Sequence, residues 1–156
     1  MKNVYVVEGK NIYDLNSLFN EFANAVNAPN GYFGAGLLAF DDCLFGGFGL
    51  EAPCEIVWKD SNLSKKKLDC KMLREYYEEE KVWFEKSLID EIKELRKNGQ
   101  DPDKYDLTSL RGIRYSLEAI DKAKNGDASM FDEIISSIQS VTKRARLGWR
   151  VDLRLE

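Results

Sequence analysis

The chain has 156 residues, a formal net charge of −4, 44% hydrophobic and 32% charged residues, and no histidine. That is the size and make-up of one folded domain with its own core, not of a disordered segment. Without imidazole, the commonest general base, the usual nucleophile triads and most zinc sites are excluded.

The charge is uneven. Residues 1–64 hold 8 acids against 3 bases, residues 65–130 hold 15 against 15, and residues 131–156 hold 4 against 5. An acidic first segment repels phosphates, so no nucleic-acid groove is expected there; it suits a basic protein partner. The three cysteines, Cys43, Cys54 and Cys70, form no CxxC pair. Two lie in apolar contexts where a thiol acts as a small hydrophobe, which implies a reducing cytoplasm. No apolar run approaches the roughly 20 residues a membrane-spanning helix needs, and "MKNVYVVEGK" lacks the pattern of a signal peptide.

In chain order, "VYVV" (4–7) predicts a strand ended by Glu8 and Gly9. Asp14 caps a helix whose apolar stripe is Leu15, Leu18, Phe19, Phe22 and Val26, stopped by Pro29, Asn30 and Gly31. A loop then leads to a short helix over about 36–45, stopped by Gly46 and Gly47. "CEIVW" (54–58) predicts a second strand, and Asp60 or Ser61 caps a short helix after it. A long helical pattern runs from Leu68 to Lys97, with Leu73, Tyr77, Phe84, Leu88, Ile92 and Leu95 as its stripe. After a turn at 98–106, Leu110, Ile113, Leu117 and Ile120 mark a second helix, which together with the first suggests an antiparallel hairpin. The last helix covers about 130–145, with Phe131, Ile134, Ile135, Ile138 and Val141 apolar, and "WRVDLRL" (149–155) alternates like a strand. Strands separated by helices imply an α/β domain with a parallel sheet.

The helix at 36–45 carries two carboxylates in a greasy run, "YFGAGLLAFDDCLFGGFG". At helical spacing Leu37, Phe40 and Leu44 share the core face, with Cys43 beside it. Asp42 lies nearly opposite, between Leu38 and Phe45, and Asp41 falls near the boundary. A carboxylate rimmed by exposed apolar side chains loses water when a partner covers it, so binding favours a cationic pocket. The plainer alternative is an ordinary solvated helix face, with Leu38 and Phe45 covered by the later helices. Adjacent carboxylates point apart on a helix and no further acid completes a set, so no metal is expected. Gly31, Gly34 and Gly36 do not have the spacing of a phosphate loop and are turn glycines. "SKKKL" (64–68) is a solvated helix end. In "YYEEEKVWFEK" (76–86), Tyr77, Trp83 and Phe84 cannot all lie in one stripe, so some are exposed.

"YFG…LLAFDDCLFGGFG" followed by "CEIVWKDSNLS" resembles the barstar family of ribonuclease inhibitors. Its members show an aromatic-aromatic-Gly loop, a helix of the form Asn-x-Asp-Ala-x-x-Asp-x-Leu, and a strand ending in Trp. The resemblance runs from Val4 to about Leu68 and resumes at about Phe131. It implies an α/β fold: a small three-stranded parallel sheet flanked by helices, one domain over 1–156 with its core in 1–68 and 129–156 and a helical-hairpin insert at about 69–128. It also implies a chain without chemistry of its own or a cofactor, which plugs the active site of a basic toxin nuclease as a monomer or weak oligomer. By position Asp42 matches the central acid. Tyr32, followed by Phe33, matches the loop aromatics, Gly34 the loop glycine, and Phe45 and Gly46 the contacts after the helix. Leu38 stands where the first family acid is expected, Gly36 where its Asn is, Asp41 where an aromatic is, and Lys143 where a further acid is. Lys143, Arg144 and Arg146 would repel a basic nuclease if they faced it. The expected docking set is Asp42, Asp41, Tyr32, Phe33, Gly34, Leu38, Phe45 and Gly46. The alternatives are a regulatory module that binds its partner through the insert, and an enzyme working on Asp41 and Asp42.

Overall fold

A computed structural model describes residues 2–156. The chain divides into two compact units, residues 2–69 with 131–156, and residues 70–130. The first holds a three-stranded parallel sheet in the order β1 (Asn3–Glu8), β2 (Cys54–Lys59), β3 (Val151–Leu155). The register pairs Asn3 with Cys54 through Glu8 with Lys59, and Cys54 with Val151 through Trp58 with Leu155. A central parallel strand is covered on both faces, which is why "CEIVW" is nearly unbroken apolar sequence; Cys54, Ile56, Val57 and Trp58 are all buried.

Helix α1 (Leu15–Val26) and the short α2 (Leu37–Cys43) lie between β1 and β2. Asp14 caps α1 as its sequence suggests: its carboxylate accepts from the Ser17 amide, and the Ser17 hydroxyl oxygen accepts from the Asp14 amide. Leu18, Phe19, Phe22, Ala23 and Val26 form its buried stripe. Aromatic rings fill the centre of this unit. Phe22 meets Phe33, Phe40 and Trp58 at 5.8, 5.0 and 5.7 Å between ring centroids, and Trp58 meets Phe131 at 5.4 Å. The fully buried Trp58 indole donates to the Ser64 hydroxyl, which donates to the Gly9 carbonyl, so the polar edge of the ring is satisfied inside the core.

Several boundaries differ from the sequence pattern. Helix α3 (Ser61–Lys67) has no side-chain cap: Asp60 is left-handed, and the Ser61 amide and hydroxyl both donate to the Glu156 carbonyl. The long helix expected from Leu68 starts two residues later, and α4 runs over Cys70–Lys97. Leu68 leaves helical geometry at φ −86° and ψ 67°, and its carbonyl accepts from the Phe131 amide at the start of α6 (Met130–Arg144). β3 starts at Val151, because Trp149 closes a turn by donating its amide to the Arg146 carbonyl.

In the second unit, α4 packs on α5 (Thr108–Lys124). Glu91 meets Ser109, Phe84 lies against Gly112 and Tyr77 against Tyr115, so the helices run antiparallel. The stripe of α5 is the expected one only in part: Ile120 is buried and Leu110 and Ile113 are half-buried. Leu117 is 48% exposed, and the buried residues are Ser109, Ser116, Ala119, Ile120 and Ala123. Small side chains allow a close approach, and the hydroxyls bring their own partners: Ser109 donates to Glu91 and Ser116 to the Gly112 carbonyl.

Candidate protein-docking surface

Helix α2 is two turns long and has no side-chain cap, since its N-cap residue, Gly36, has no side chain to offer. Burial holds it instead. Phe40 and Cys43 point into the aromatic core, followed by Leu44. The helical pattern to residue 45 shortens because the Leu44 and Phe45 amides turn back three residues, onto the Asp41 and Asp42 carbonyls. Gly46 and Gly47, both at positive φ, then end it. The loop before α2 lies hard against the helix. A Cβ on Gly34, at φ +111°, would stand 2.9 Å from the Phe40 backbone nitrogen and Cα.

The turn before β3 clamps the other end of α2. The Trp149 indole donates to the Leu44 carbonyl at 3.0 Å. Its ring lies so close over Gly46 that a Cβ there would be 2.9 Å away. Arg146 stacks 4.5 Å from the centroid of the same ring, and Leu147 beside it is fully exposed.

On this frame the two carboxylates separate. Asp42 is exposed, and no hydrogen bond or ion pair to its carboxylate is found among the described residues. Its neighbour on the outer face, Leu38, is 78% exposed. Burial first, and the Asp42 charge second, raise the pKa of the Cys43 thiol behind it. Asp41 is half-buried and taken by Arg144, which donates from Nη1 to Oδ2 at 2.8 Å and from Nη2 to Oδ1 at 2.6 Å. That hydrogen bond raises the pKa of the guanidinium above its ordinary value. The guanidinium also stacks 5.0 Å from the centroid of the Phe45 ring.

The residues picked out from sequence therefore fall into groups. Asp42, Leu38 and the half-exposed Phe45 share the outer side of α2 and its C-terminal turn, while Gly34 and Gly46 shape the backbone on either side. Tyr32 remains 39% exposed and packs on Phe48. Phe33 is 1% exposed and stacked on Phe22, so its ring belongs to the core and is withheld from the surface. Lys143 is exposed. The contact that sequence reading missed is the one between Asp41 and Arg144, which lie 103 positions apart with no local pattern to join them. Among the described residues no group of three or more His, Cys, Asp or Glu could hold a metal ion. No helix is long and apolar enough to cross a membrane.

A three-stranded parallel sheet flanked by helices, a buried Trp58 one residue before the end of its middle strand, and a short helix packed beside an aromatic-Gly loop define a small α/β class of protein. Residues 2–84 match the family model described as Barstar (barnase inhibitor). The match covers more than half of the 156 residues, and the chain belongs to the barstar family. No curated protein matches the chain.

Proposed function

We propose that this protein binds and occludes the active site of a toxic nuclease, a ribonuclease, and protects the cell that makes both. The observation carrying this reading is Asp42: an open carboxylate between Leu38 and Phe45, on a helix anchored from behind by Phe40 and Leu44. A nuclease must hold a phosphate, so its cleft offers cations. A carboxylate that enters such a cleft within an apolar rim is desolvated together with its cationic partner, and removing either one leaves a buried unpaired charge. Membership of a family described by barnase inhibition supports the same assignment.

The test is co-expression with a nuclease toxin encoded in the adjacent reading frame. The toxin alone should kill, and the pair should grow. Asp42→Ala should keep the fold and weaken the complex by about 2 kcal/mol or more, the scale of truncated charged hot spots, for which the barnase–barstar pair is a standard example. Unchanged affinity in calorimetry would remove Asp42 from this role.

A second reading has one observation in its favour. On α4, Val82, Trp83 and Ile89 are 49, 60 and 55% exposed, and Glu75, Glu78, Glu79 and Lys86 line a shallow groove with Val82 and Trp83. A regulatory partner could dock there in place of a nuclease at α2. Trp83→Ser discriminates: protection from the toxin persists under the first reading, whereas under the second the regulatory partner is lost.

A further inference from the structure

Arg144, at the end of α6 and with its side chain 44% exposed, spends most of its hydrogen-bonding capacity within the protein. Two of its N–H groups hold the Asp41 carboxylate, the Nε–H donates to the Ser140 hydroxyl at 3.0 Å, and another Nη2–H donates to the Ser137 carbonyl at 3.3 Å. That leaves one of the five donors of a guanidinium, and the Phe45 ring covers a face. Two-pronged pairing of this kind is short, charge-assisted and orientationally fixed. The side chain of Asp41 is only 17% exposed within it. Two acids adjacent in sequence thus have opposite status: one is closed by an internal cation and the other is open.

The geometry points to Arg144 as a specificity-determining residue: by closing Asp41 against partner cations it reduces a two-carboxylate helix to a single open anion, and so restricts this surface to targets whose pocket offers one cation to Asp42 rather than an array of them. This rests on the reading of α2 as a nuclease-docking helix and adds to it the charge pattern of the target. A cleft lined by several cations gains little from the closed pair, which is neutral as a unit. It would gain from a free second acid.

The test measures the affinity of the full chain for barnase by calorimetry and stopped-flow, in low and moderate salt, with thermal melts to verify folding. Arg144→Gln frees Asp41 and should bind barnase about tenfold tighter than wild type, a change of about 1.4 kcal/mol, with an association rate that falls more steeply as salt rises. Asp41→Asn with Arg144→Gln replaces the ion pair by a neutral one and should return affinity to the wild-type level. The inference is overturned if Arg144→Gln is no tighter, if its gain survives Asp41→Asn, or if no variant binds barnase. The double variant keeps the test decisive should Arg144→Gln unfold, because a drop below wild type would show Asp41 already engaged with the partner. Failure of the underlying reading looks different: Asp42→Ala would then be silent in every background, and the chain would not protect against the neighbouring toxin.

Discussion

The two units solve the packing problem with different side chains. The sheet unit buries its large rings, with Phe22, Phe33, Phe40 and Trp58 each at most 1% exposed and in edge or stacked contact. The hairpin buries the small side chains Ser109, Ser116, Ala119 and Ala123 beside Leu73, Tyr77 and Ile120, and leaves Trp83 and Tyr115 60 and 53% exposed. Interlocked rings fix what lies on top of them, because a packed aromatic core has few alternative arrangements. The orientation of α2, and with it the separate fates of Asp41 and Asp42, follows from that rigidity. A helix pair joined along small residues fixes backbone spacing more than it fixes surface side chains.

The sharpest way to break this contrast is to empty the ring cluster. Phe22→Ala removes the side chain that touches three other rings and should cost about 3–5 kcal/mol, the range for a buried Phe. Leu117→Ala deletes a large apolar residue from the hairpin but an exposed one, and should stay within about 0.5 kcal/mol. Urea unfolding of both variants measures the difference. Equal costs would mean that the hairpin depends on Leu117 in a way its exposure does not show.

Next in size come two glycines with crowded Cβ positions. At Gly34 the added carbon meets the Phe40 backbone at 2.9 Å, in a conformation with φ +111° that side chains rarely adopt. Backbone cannot step aside, so Gly34→Ala should cost about 2 kcal/mol or more. At Gly112 the added carbon lies 2.6 Å from the Phe84 ring. The clash there is with one half-buried side chain and not with backbone, and alanine recovers about 1 kcal/mol of helix propensity. Gly112→Ala should therefore remain within about 1 kcal/mol of wild type. Thermal melts of the two variants give the comparison. A larger loss at Gly112 would show that the small-residue seam is as unforgiving as the aromatic core.

How much of this was legible in the sequence follows from where the causes lie. The α1 cap was, because Asp14 and its partner Ser17 are three residues apart. Asp14→Ala should cost about 1 kcal/mol, seen as a lower urea midpoint at an unchanged slope. The strands, the core face of α2 and the outward position of Asp42 were legible for the same reason, since each rests on local periodicity. The stripe of α5 was not. Hydrophobicity pointed to Leu110, Ile113, Leu117 and Ile120, of which Ile120 is buried and Leu117 is not; close approach added Ser109 and Ser116, whose hydroxyls are satisfied by Glu91 and by the helix itself. The exact start of α4 was not legible: the Leu68 carbonyl bonds the Phe131 amide, from another part of the chain. Phe33 carried the aromatic-loop signature of a contact residue yet serves the core, and the Asp41–Arg144 pair joins distant segments.

The smallest effect concerns the ion pairs of the two units. In the sheet unit, Asp152 on β3 is held by Lys2 at 2.9 Å and by Arg150 at 3.1 Å. The Lys2 hydrogen bond, supported by Arg150 and opposed by burial, keeps the Asp152 pKa below its ordinary value. A depressed carboxylate binds its proton more weakly when folded than when unfolded. Its contribution is therefore present above the unfolded pKa of about 3.9 and is lost as pH falls through the lower folded value. Asp152→Asn should lower stability at pH 7, and the gap to wild type should close in acid below that range. The hairpin pair Lys81–Glu85 is a different object, an exposed contact one helical turn apart at 3.3 Å. Glu85→Gln should cost about 0.3–0.5 kcal/mol, and added salt should shrink that further. Urea titrations of both variants across pH and salt separate the cases. A gap for Asp152→Asn that persisted unchanged in acid would mean that its carboxylate supports β3 through shape and hydrogen bonding, with no part played by its charge.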